Sequence, residues 1–447
     1  MSSSAPRDVV LRRASRLVGT FRVPGDKSIS HRAAMLAAFA SGVTRIEGYA
    51  LNGDCLSTLG CIAALGAAVE RDETTVTIAS GGRESLVAPA GPLDAGNSGT
   101  TMRLLAGLLA GCDLDVSIAG DESLSGRPMR RVANPLTSMG AVVETTGGHA
   151  PIHVRGKARL NAISYQPDPP SAQVKSAILL AGLSAEGVTR VRERVQTRDH
   201  TERLLSAFGV ECGREDDVAW VRGPATLVPA DVTVPGDVSS AAFLMALALL
   251  VEGSDVSITG IGLNPTRTRL FDVLAELGAD IELTDFVDAA EPFGDVRVRY
   301  TERLGPLGGG PFVVGADIVA EMIDEVPILA ALATRTTGGI RFEGVGELRR
   351  KESDRVAAME EGLSLLGATV RSSDETLEID GGRLLLGARV RSFGDHRIAM
   401  ALGCLGVAIE GETTIEDAGA AGVSFPDFFD VLPEGAVVWS AHAGSER

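Results

Sequence analysis

The sequence predicts an α/β protein of two similar domains, each built from three helix-strand-helix-strand-strand repeats. The motif Val23-Pro24-Gly25-Asp26 returns as Val234-Pro235-Gly236-Asp237, 211 residues later. A loop rich in Ser, Asp or Gly opens an apolar helix six times, at intervals of roughly 70 residues. Gly and a β-branched strand follow each of these helices. A chain of 447 residues is also too long for one hydrophobic core, which favours two domains.

The six helix starts share small or acidic residues that suit helix capping. They are Lys27-Ser28, Asn97-Ser98-Gly99, Ser171-Ala172-Gln173, Val238-Ser239-Ser240, Ile323-Asp324-Glu325 and Gly394-Asp395-His396. A second helix that stops at Gly mostly follows, because Gly favours the C′ position. These second helices are predicted at Leu56–Leu65, Val132–Met139, Leu204–Phe208, Leu270–Leu277 and Ala357–Leu366. Short alternating strands complete each repeat, and the sixth repeat is predicted to be truncated after Phe425–Leu432.

The domain boundary is predicted near residue 233. The first domain then spans 22–233, and the second combines 1–21 with 234–447, because the strand-like Val9–Leu11 is expected to pair with the second half. If the two domains are alike and face each other, the helix N-termini border one cleft. We expect the active site in that cleft, where helix N-termini favour anions.

Composition and charge exclude several classes of function. The net charge of −17 argues against nucleic acid or an anionic membrane as a partner. No apolar run is long enough to predict a membrane span, and 1–6 show no signal or transit pattern, so we expect a cytoplasmic protein. We also expect a monomer.

Metal and cofactor patterns are absent from the sequence. The five cysteines are scattered without a CxxC pair, which favours neither disulfides nor zinc. His149 and His153 are interpreted as loop and strand residues rather than ligands. No GxGxxG or Walker pattern indicates a dinucleotide or a nucleoside triphosphate. We therefore expect no metal and no organic cofactor.

The stretch Pro24–Arg32 predicts an anion site. Lys27 and Arg32 lie in or beside the first turn of a helix, where exposed N–H groups are already partly positive. Two cations at that place favour a phosphate or carboxylate ligand. A capped surface helix with solvated charges remains the alternative.

Further cations lie around the other helix starts, at Arg103, Arg127, Lys175, Arg198, Lys351, Arg355 and Arg397. The chain has only four lysines, so a retained Lys suggests a need for a compact or titratable charge. In Lys351–Arg355 the carboxylate of Glu352 lies between cations, as an ion pair or as a general acid or base. Asp324 and Glu325 suggest proton transfer, although Asp324 also suits a helix N-cap.

These motifs resemble the 5-enolpyruvylshikimate-3-phosphate synthase (3-phosphoshikimate 1-carboxyvinyltransferase) family over nearly the whole chain. The matching segments are Pro24–Arg32, Asn97–Arg103, Arg127–Met129, Ser171–Lys175, Arg198–Glu202, Asn264–Arg267, Lys351–Arg355 and Asp395–Arg397. Three of them, Ser171–Lys175, Arg198–Glu202 and Asn264–Arg267, resemble the class II bacterial subgroup. The resemblance implies the inside-out α/β barrel of enolpyruvyl transferases, with an open cleft that closes on ligand.

The resemblance also implies an activity in the shikimate pathway of aromatic amino-acid biosynthesis. The enolpyruvyl group of phosphoenolpyruvate would be transferred to the 5-hydroxyl of shikimate 3-phosphate, with release of phosphate, by addition and elimination. No cofactor is implied. Both substrates carry a phosphate and a carboxylate, which accounts for the cations and helix N-termini at the predicted site.

Site residues follow from the resemblance position by position. Asp324 would deprotonate the 5-hydroxyl, Glu352 would protonate the vinyl carbon, and Lys27 would contact both substrates. The expected shikimate 3-phosphate contacts are Ser28, Arg32, Ser171 and Arg198, and the expected phosphoenolpyruvate contacts are Gly99, Arg127, Gln173, Arg355 and Arg397. The remaining expected substrate-binding residues are Asn97, Ala172, Lys351 and His396.

Two positions differ among members of this family and bear on anion binding and on glyphosate binding. Val423 stands where many relatives carry Lys, so one anion contact is expected to be absent or replaced. Gly99 occupies a position where alanine is associated with glyphosate insensitivity, so we expect glyphosate to bind.

Two other functions remain open from the sequence. The related enzyme that acts on UDP-N-acetylglucosamine typically has a Cys five residues before an Arg-Pro pair, and Glu122 stands there in this chain. A non-catalytic anion-binding protein would keep the cations but would not need Asp324 and Glu352.

Overall fold

A computed structural model describes residues 8–306 and 309–439. Within these residues the α-helices are α1 (Lys27–Phe39), α2 (Gly53–Ala64), α3 (Gly99–Ala110), α4 (Glu122–Ser125), α5 (Arg130–Ser138), α6 (Ala172–Gly182), α7 (His200–Ala207), α8 (Val238–Leu250), α9 (Arg269–Glu276), α10 (Ala316–Glu321), α11 (Val326–Ala333), α12 (Arg355–Leu365) and α13 (His396–Gly406). The six predicted first helices correspond to α1, α3, α6, α8, α11 and α13. The predicted second helices correspond to α2, α5, α7, α9 and α12.

The strands are short and mostly follow helices. They are β1 (Val9–Arg12), β2 (Val18–Phe21), β3 (Ser41–Glu47), β4 (Ala68–Asp72), β5 (Thr75–Gly81), β6 (Leu93–Asp94), β7 (Asp115–Ala119), β8 (Val142–Thr146), β9 (His149–Arg155), β10 (Leu160–Asn161), β11 (Ser164–Tyr165), β12 (Ala185–Arg192), β13 (Cys212–Glu215), β14 (Val218–Gly223), β15 (Val232–Thr233), β16 (Asp255–Gly262), β17 (Asp280–Val287), β18 (Phe293–Arg299), β19 (Phe312–Val314), β20 (Ile340–Glu343), β21 (Val370–Ser372), β22 (Thr376–Ile379), β23 (Arg389–Arg391), β24 (Glu412–Glu416) and β25 (Val437–Trp439).

The chain divides into two compact units. The first unit comprises 24–235 together with 288–292, and the second comprises the rest of the described chain. Each unit has its own hydrophobic core. The short segment 288–292 lies between β17 and β18, whose residues belong to the second unit.

Each unit contains three sheets with one common strand order. In the first unit the orders are β15-β3-β5-β4, β6-β7-β9-β8 and β10-β12-β14-β13, and in the second unit β2-β16-β18-β17, β19-β20-β22-β21 and β23-β24-β1-β25. In each of these orders the first pair is parallel and the other two pairs are antiparallel. The sheet that contains β12 has a fifth strand, β11, which also pairs parallel with β12. The predicted α/β fold of repeated helix and strand units is therefore confirmed.

The sixth sheet corrects the prediction that the last repeat is truncated. It is completed by β25 and by β1, which pairs antiparallel with β24 and β25, placing Val9 opposite both Ile415 and Trp439. The predicted pairing of Val9–Leu11 with the second half of the chain is thus confirmed. The sequence pattern missed the full sheet because its strands come from opposite ends of the chain.

The first helix of each repeat is buried on nearly all sides. All residues of α8 and α11 are buried, whereas the strands alternate between buried and exposed positions. A helix that is apolar on all sides is buried in the core, whereas a sheet with one solvent-exposed face lies at the surface. In the first unit, α3 and α6 pack so closely that a Cβ at Gly107 would lie 2.4 Å from the carbonyl oxygen of Ala177.

Candidate active site

The predicted residues of the first unit, which we name the first cluster, lie at or near the starts of α1, α3 and α6 and, for Arg127 and Arg198, in the segments before α5 and α7. They are Lys27, Ser28, Arg32, Asn97, Gly99, Arg103, Arg127, Ser171, Ala172, Gln173 and Arg198. Side chains cap α1, α3 and α6. The Asp26 carboxylate accepts from Ile29 N at 2.9 Å, and the hydroxyl of Ser98 accepts from Thr101 N at 3.0 Å. The hydroxyl of Ser171 accepts from Val174 N at 3.4 Å. The other N–H groups of these first turns add positive potential, which favours anions.

Lys27 and Ser28 begin α1, as predicted. The Lys27 ammonium lies 3.0 Å from Asp54 Oδ2, and about a quarter of the Lys27 side chain is exposed. Asp54 is in the first turn of α2. Since 23% of the Lys27 side chain and 13% of the Asp54 side chain are exposed, the pair is largely shielded from solvent and holds the Lys27 ammonium beside the start of α1.

Arg32 is buried and held on three sides. Its Nε donates to Thr201 Oγ1 at 2.7 Å, its Nη2 to Ser176 Oγ at 2.9 Å, and its Nη1 to the carbonyl of Ser28 at 2.9 Å. Burial lowers the pKa of Arg32 to about 10, against the opposing charge of Glu202. Arg32 therefore stays charged at neutral pH, and three fixed bonds preset the direction of its remaining N–H groups.

The α3 start is joined to the loop that contains Arg127. The Nη2 of Arg127 donates to Asn97 Oδ1 at 2.5 Å, and Asn97 Nδ2 donates to Asp121 Oδ2 at 2.8 Å. The Asp121 carboxylate also caps α4. The predicted residues Asn97 and Arg127 are thus in direct contact, and Asp121, which the sequence reasoning did not select, holds the Asn97 amide from its other side.

Gln173 is fixed between α3 and its own helix α6. Its amide oxygen accepts from Arg103, and its Nε2 donates to Thr100 Oγ1 at 2.9 Å. Gly99 lies beside this pair, since a Cβ there would come within 2.9 Å of Arg103 Nη1. Gly99, Arg103 and Gln173 therefore form one contact set at the starts of two helices.

Lys175 does not belong with the anion-binding cations, although the sequence grouped it there. It is fully buried, and its Nζ lies 2.8 Å from Glu202 Oε1 and 3.1 Å from Glu193 Oε2. Position 175 is one turn into α6, and its side chain points into the unit toward these acids. Glu193 was missed because it is 18 residues away and outside any motif.

The second unit holds the second cluster: Asp324, Lys351, Glu352, Arg355, Asp395, His396 and Arg397. Arg355 is its centre, as the first residue of α12, with 1% of its side chain exposed. Its guanidinium donates to Asp395 Oδ2 at 2.8 Å, to Glu352 Oε2 at 2.6 Å and to Asp324 Oδ1 at 3.2 Å. Burial alone would lower the pKa of Arg355, but these three carboxylates together raise it.

Asp324 and Glu325 lie in different environments. Asp324 is partly exposed, and its Oδ1 lies 3.2 Å from Arg355, 3.5 Å from Lys351 and 3.8 Å from Arg397. The Glu325 carboxylate is buried, accepts from the hydroxyl of Ser239 and lies 3.5 Å from Arg267. Glu325 stands at the N-cap of α11, but its side chain makes no capping hydrogen bond. Asp324 is therefore the acid that joins the second cluster.

The start of α13 completes the second cluster. Asp395 caps the helix by accepting from Arg397 N at 2.9 Å, and Arg397 Nη1 donates to the carbonyl of Asp324 at 3.0 Å. Burial tends to raise the pKa of Asp395, but the charges of Arg355 and His396 outweigh it and lower that pKa. The His396 ring nitrogen is 4.0 Å from Asp395 Oδ1.

Several residues that support the first cluster were not selected from the sequence. They are Asp54, Asp121, Ser176 and Thr201, which make hydrogen bonds or ion pairs to it or within it, although Thr201 lies in the matching segment Arg198–Glu202. Asp54 carried a usable signal, as an acid in the first turn of a helix. In the described part of the chain no group of three or more His, Cys, Asp and Glu side chains is arranged to hold a metal.

The family model of EPSP synthase (3-phosphoshikimate 1-carboxyvinyltransferase) matches residues 11–432. The chain belongs to the EPSP synthase family. A 3-phosphoshikimate 1-carboxyvinyltransferase of Pelotomaculum thermopropionicum is 46% identical over 435 residues, covering 97% of this chain and 100% of that protein. One from Brevibacillus brevis is 44% identical over 425 residues, covering 94% and 98%.

Solved structures agree with this family membership. An EPSP synthase from Acinetobacter baumannii has a TM-score of 0.87 and 38% identity, covering 98% of this chain and 100% of its own. The enolpyruvyl transferase NikO from Streptomyces tendae has a TM-score of 0.78 at 19% identity, covering 97% and 99%. The second likeness concerns the fold alone. The described residues include no α-helix that is both long and apolar enough to cross a bilayer.

Proposed function

We infer that this chain is an enzyme with the activity for which its relatives are named, 3-phosphoshikimate 1-carboxyvinyl transfer. The observation that carries the inference is the second cluster, where two partly exposed acids, Asp324 and Glu352, share the buried Arg355. An anion-binding protein needs the cation but not two acids beside it. Transfer of a vinyl group needs one group that accepts a proton and one that donates a proton.

We propose that Asp324 accepts the proton of the 5-hydroxyl while the hydroxyl oxygen forms a bond to C2 of phosphoenolpyruvate. Glu352 donates a proton to C3 in the same addition. The bond between C2 and the phosphate oxygen then breaks, phosphate leaves with the proton that Asp324 held, and the Glu352 carboxylate takes a proton back from C3 to restore the vinyl group. Lys27 and Lys351 supply compact positive charge to the anionic groups of the substrates.

Binding roles follow the resemblance. We propose that Ser28, Arg32, Ser171 and Arg198 bind shikimate 3-phosphate. In this proposal phosphoenolpyruvate is bound by Gly99, Arg127, Gln173, Arg355 and Arg397, while Asn97, Ala172 and His396 contact one substrate or the other. The support is the combination of buried, pre-oriented guanidinium groups with capped helix starts, because both favour phosphate and carboxylate.

We further propose a class II bacterial type, a monomer and a cytoplasmic location. All three class II segments contribute to buried ion pairs: Lys175 of the first pairs with Glu202 of the second, and Arg267 of the third pairs with Glu325. Val423 ends a 3-10 turn over 418–423, and its side chain brings no cation where many relatives carry Lys.

The test is phosphate release from phosphoenolpyruvate in metal-free buffer, with and without shikimate 3-phosphate. We expect release that depends on shikimate 3-phosphate, and Glu352→Gln should reduce it by at least about 100-fold. The control Glu276→Gln changes an exposed Glu on α9 and should leave the rate unchanged. Release with UDP-N-acetylglucosamine instead, or no release at all, would overturn the assignment. Adding glyphosate to the assay tests whether Gly99 permits it to bind, since Gly99→Ala should weaken inhibition.

A further inference from the structure

Lys175 is the most deeply buried lysine among the described residues, and its ammonium has three oxygen partners. Its Nζ lies 2.8 Å from Glu202 Oε1, 3.1 Å from Glu193 Oε2 and 3.3 Å from the carbonyl oxygen of Thr197. Arg214 Nη1 lies 2.6 Å from Glu193 Oε2, so two cations and two carboxylates balance. The binding roles proposed for the first cluster do not involve this buried group of two cations and two carboxylates.

Glu193 connects the buried group to the residue before Arg198. Its Oε1 accepts from the backbone N of Thr197 at 3.2 Å and from the Thr197 hydroxyl. The Thr197 carbonyl accepts from Lys175. Every hydrogen-bonding group of Thr197 is therefore engaged by Lys175 or Glu193, which fixes the main chain on the N-terminal side of Arg198.

The C-terminal side of Arg198 is fixed as well. Glu202, in the first turn of α7, pairs with the same Lys175 ammonium. The hydroxyl of Thr201 accepts from Arg32 Nε at 2.7 Å and lies 2.7 Å from Ser176 Oγ. The charge of Arg198 is close enough to Arg32 to lower its pKa. Arg198 therefore lies between two anchored stretches and near a second guanidinium.

We propose that Lys175 is a positioning residue that fixes the main chain on both sides of Arg198 and so directs the Arg198 guanidinium toward the phosphate of shikimate 3-phosphate. Buried ion groups add little stability compared with apolar side chains of similar size. A role in positioning accounts for the burial cost better than stability does. Lysine suits the task because one compact ammonium can serve three oxygens that converge from different directions.

The proposal rests on the proposed function and is tested by a mutant cycle on shikimate 3-phosphate affinity, measured by titration calorimetry. Lys175→Met/Glu202→Gln removes one buried charge of each sign, so no lone charge remains. We expect this variant to bind shikimate 3-phosphate about tenfold more weakly. In an Arg198→Ala background the same pair of changes should cost no further affinity. The control Lys157→Met changes an exposed lysine and should leave affinity unchanged.

A second variant covers the case in which the double variant does not fold. Thr197→Val keeps all four charges and removes only the hydroxyl that reaches Glu193, and we expect about threefold weaker binding. This loss too should vanish in the Arg198→Ala background.

Unchanged affinity in a folded variant, or losses that add to that of Arg198→Ala, would overturn the positioning role. If the unaltered protein itself fails to bind shikimate 3-phosphate, the proposed function fails instead.

Discussion

At the scale of single residues, the chain separates two adjacent acids by environment. Asp324 faces three cations with part of its side chain exposed, whereas Glu325 is buried against Ser239 and Arg267. Successive residues ahead of a helix point in different directions, so one position can reach a ligand while the next supports the fold. The sequence named both acids but did not establish which of them meets the cations.

We expect Asp324→Asn to impair activity and Glu325→Gln to impair stability. Asp324→Asn should lower kcat by at least about 100-fold, because it removes the proposed base, with little change in the urea midpoint. Glu325→Gln should lower the free energy of unfolding by about 1–3 kcal/mol, because a buried charge-assisted bond is weakened, while the folded enzyme keeps activity. Steady-state kinetics of both variants measure kcat, and urea denaturation measures their free energies of unfolding. Loss of activity from Glu325→Gln at unchanged stability would reverse the roles.

The sequence was most informative at the scale of the elements. Caps, Gly stops and apolar runs are local signals, and they predicted the first and second helices of the repeats to within a few residues. The partners of Lys175 and Arg32 could not be predicted, because the contacts of α1 and α6 with α7 and with Glu193, just after β12, depend on packing that local patterns do not encode. The sequence therefore predicted Lys175 as a ligand-binding cation, whereas in the structure it pairs with two buried acids.

The start of α13 depends on one carboxylate with two tasks, since Asp395 caps the helix and pairs with Arg355. Its lowered pKa means that its stabilising effect is complete above the ordinary pKa of 3.8 and is lost as the pH falls through the folded value. Asp395→Asn keeps a capping oxygen but removes the charge, so we expect a loss of about 3–5 kcal/mol at pH 7.

The difference between Asp395→Asn and the unaltered protein should shrink as the pH falls below about 4. Urea midpoints at several pH values measure it. Asp427→Asn, an exposed position with no hydrogen bond to its carboxylate among the described residues, is the control. A difference that does not depend on pH would mean that the Asp395 charge does not stabilise the fold.

At the scale of the whole molecule, six sheets repeat one strand order, although the sixth draws its strands from both ends of the chain. The sequence predicted the repeats and the pairing of Val9–Leu11, because both leave local or periodic signals. It could not predict that β25 would pair with β1 and so complete the sixth sheet, since nothing near 437–439 repeats the earlier pattern. The domain bounds, the binding roles and the catalytic roles remain predictions.

The closure of the sixth sheet predicts that β1 is part of a core rather than an accessory strand. Leu11 has no exposed surface and packs near Gly406 of α13, whereas Val10 lies on the other face of β1 and is half-buried. We expect Leu11→Ala to cost about 2–5 kcal/mol of stability and Val10→Ala much less. Thermal or urea unfolding measures both. Equal, small effects would show that β1 contributes little to the second unit.

The same closure sets an order of events during protein synthesis. All the strands and helices of the first unit lie within 24–235, so that core can form while later residues are still being made. The second unit must wait for β25, because its sixth sheet has no second edge until Val437–Trp439 leave the ribosome. During that interval β1 has an unpaired edge, and we expect the nascent second unit to be the part of the chain that most needs chaperones.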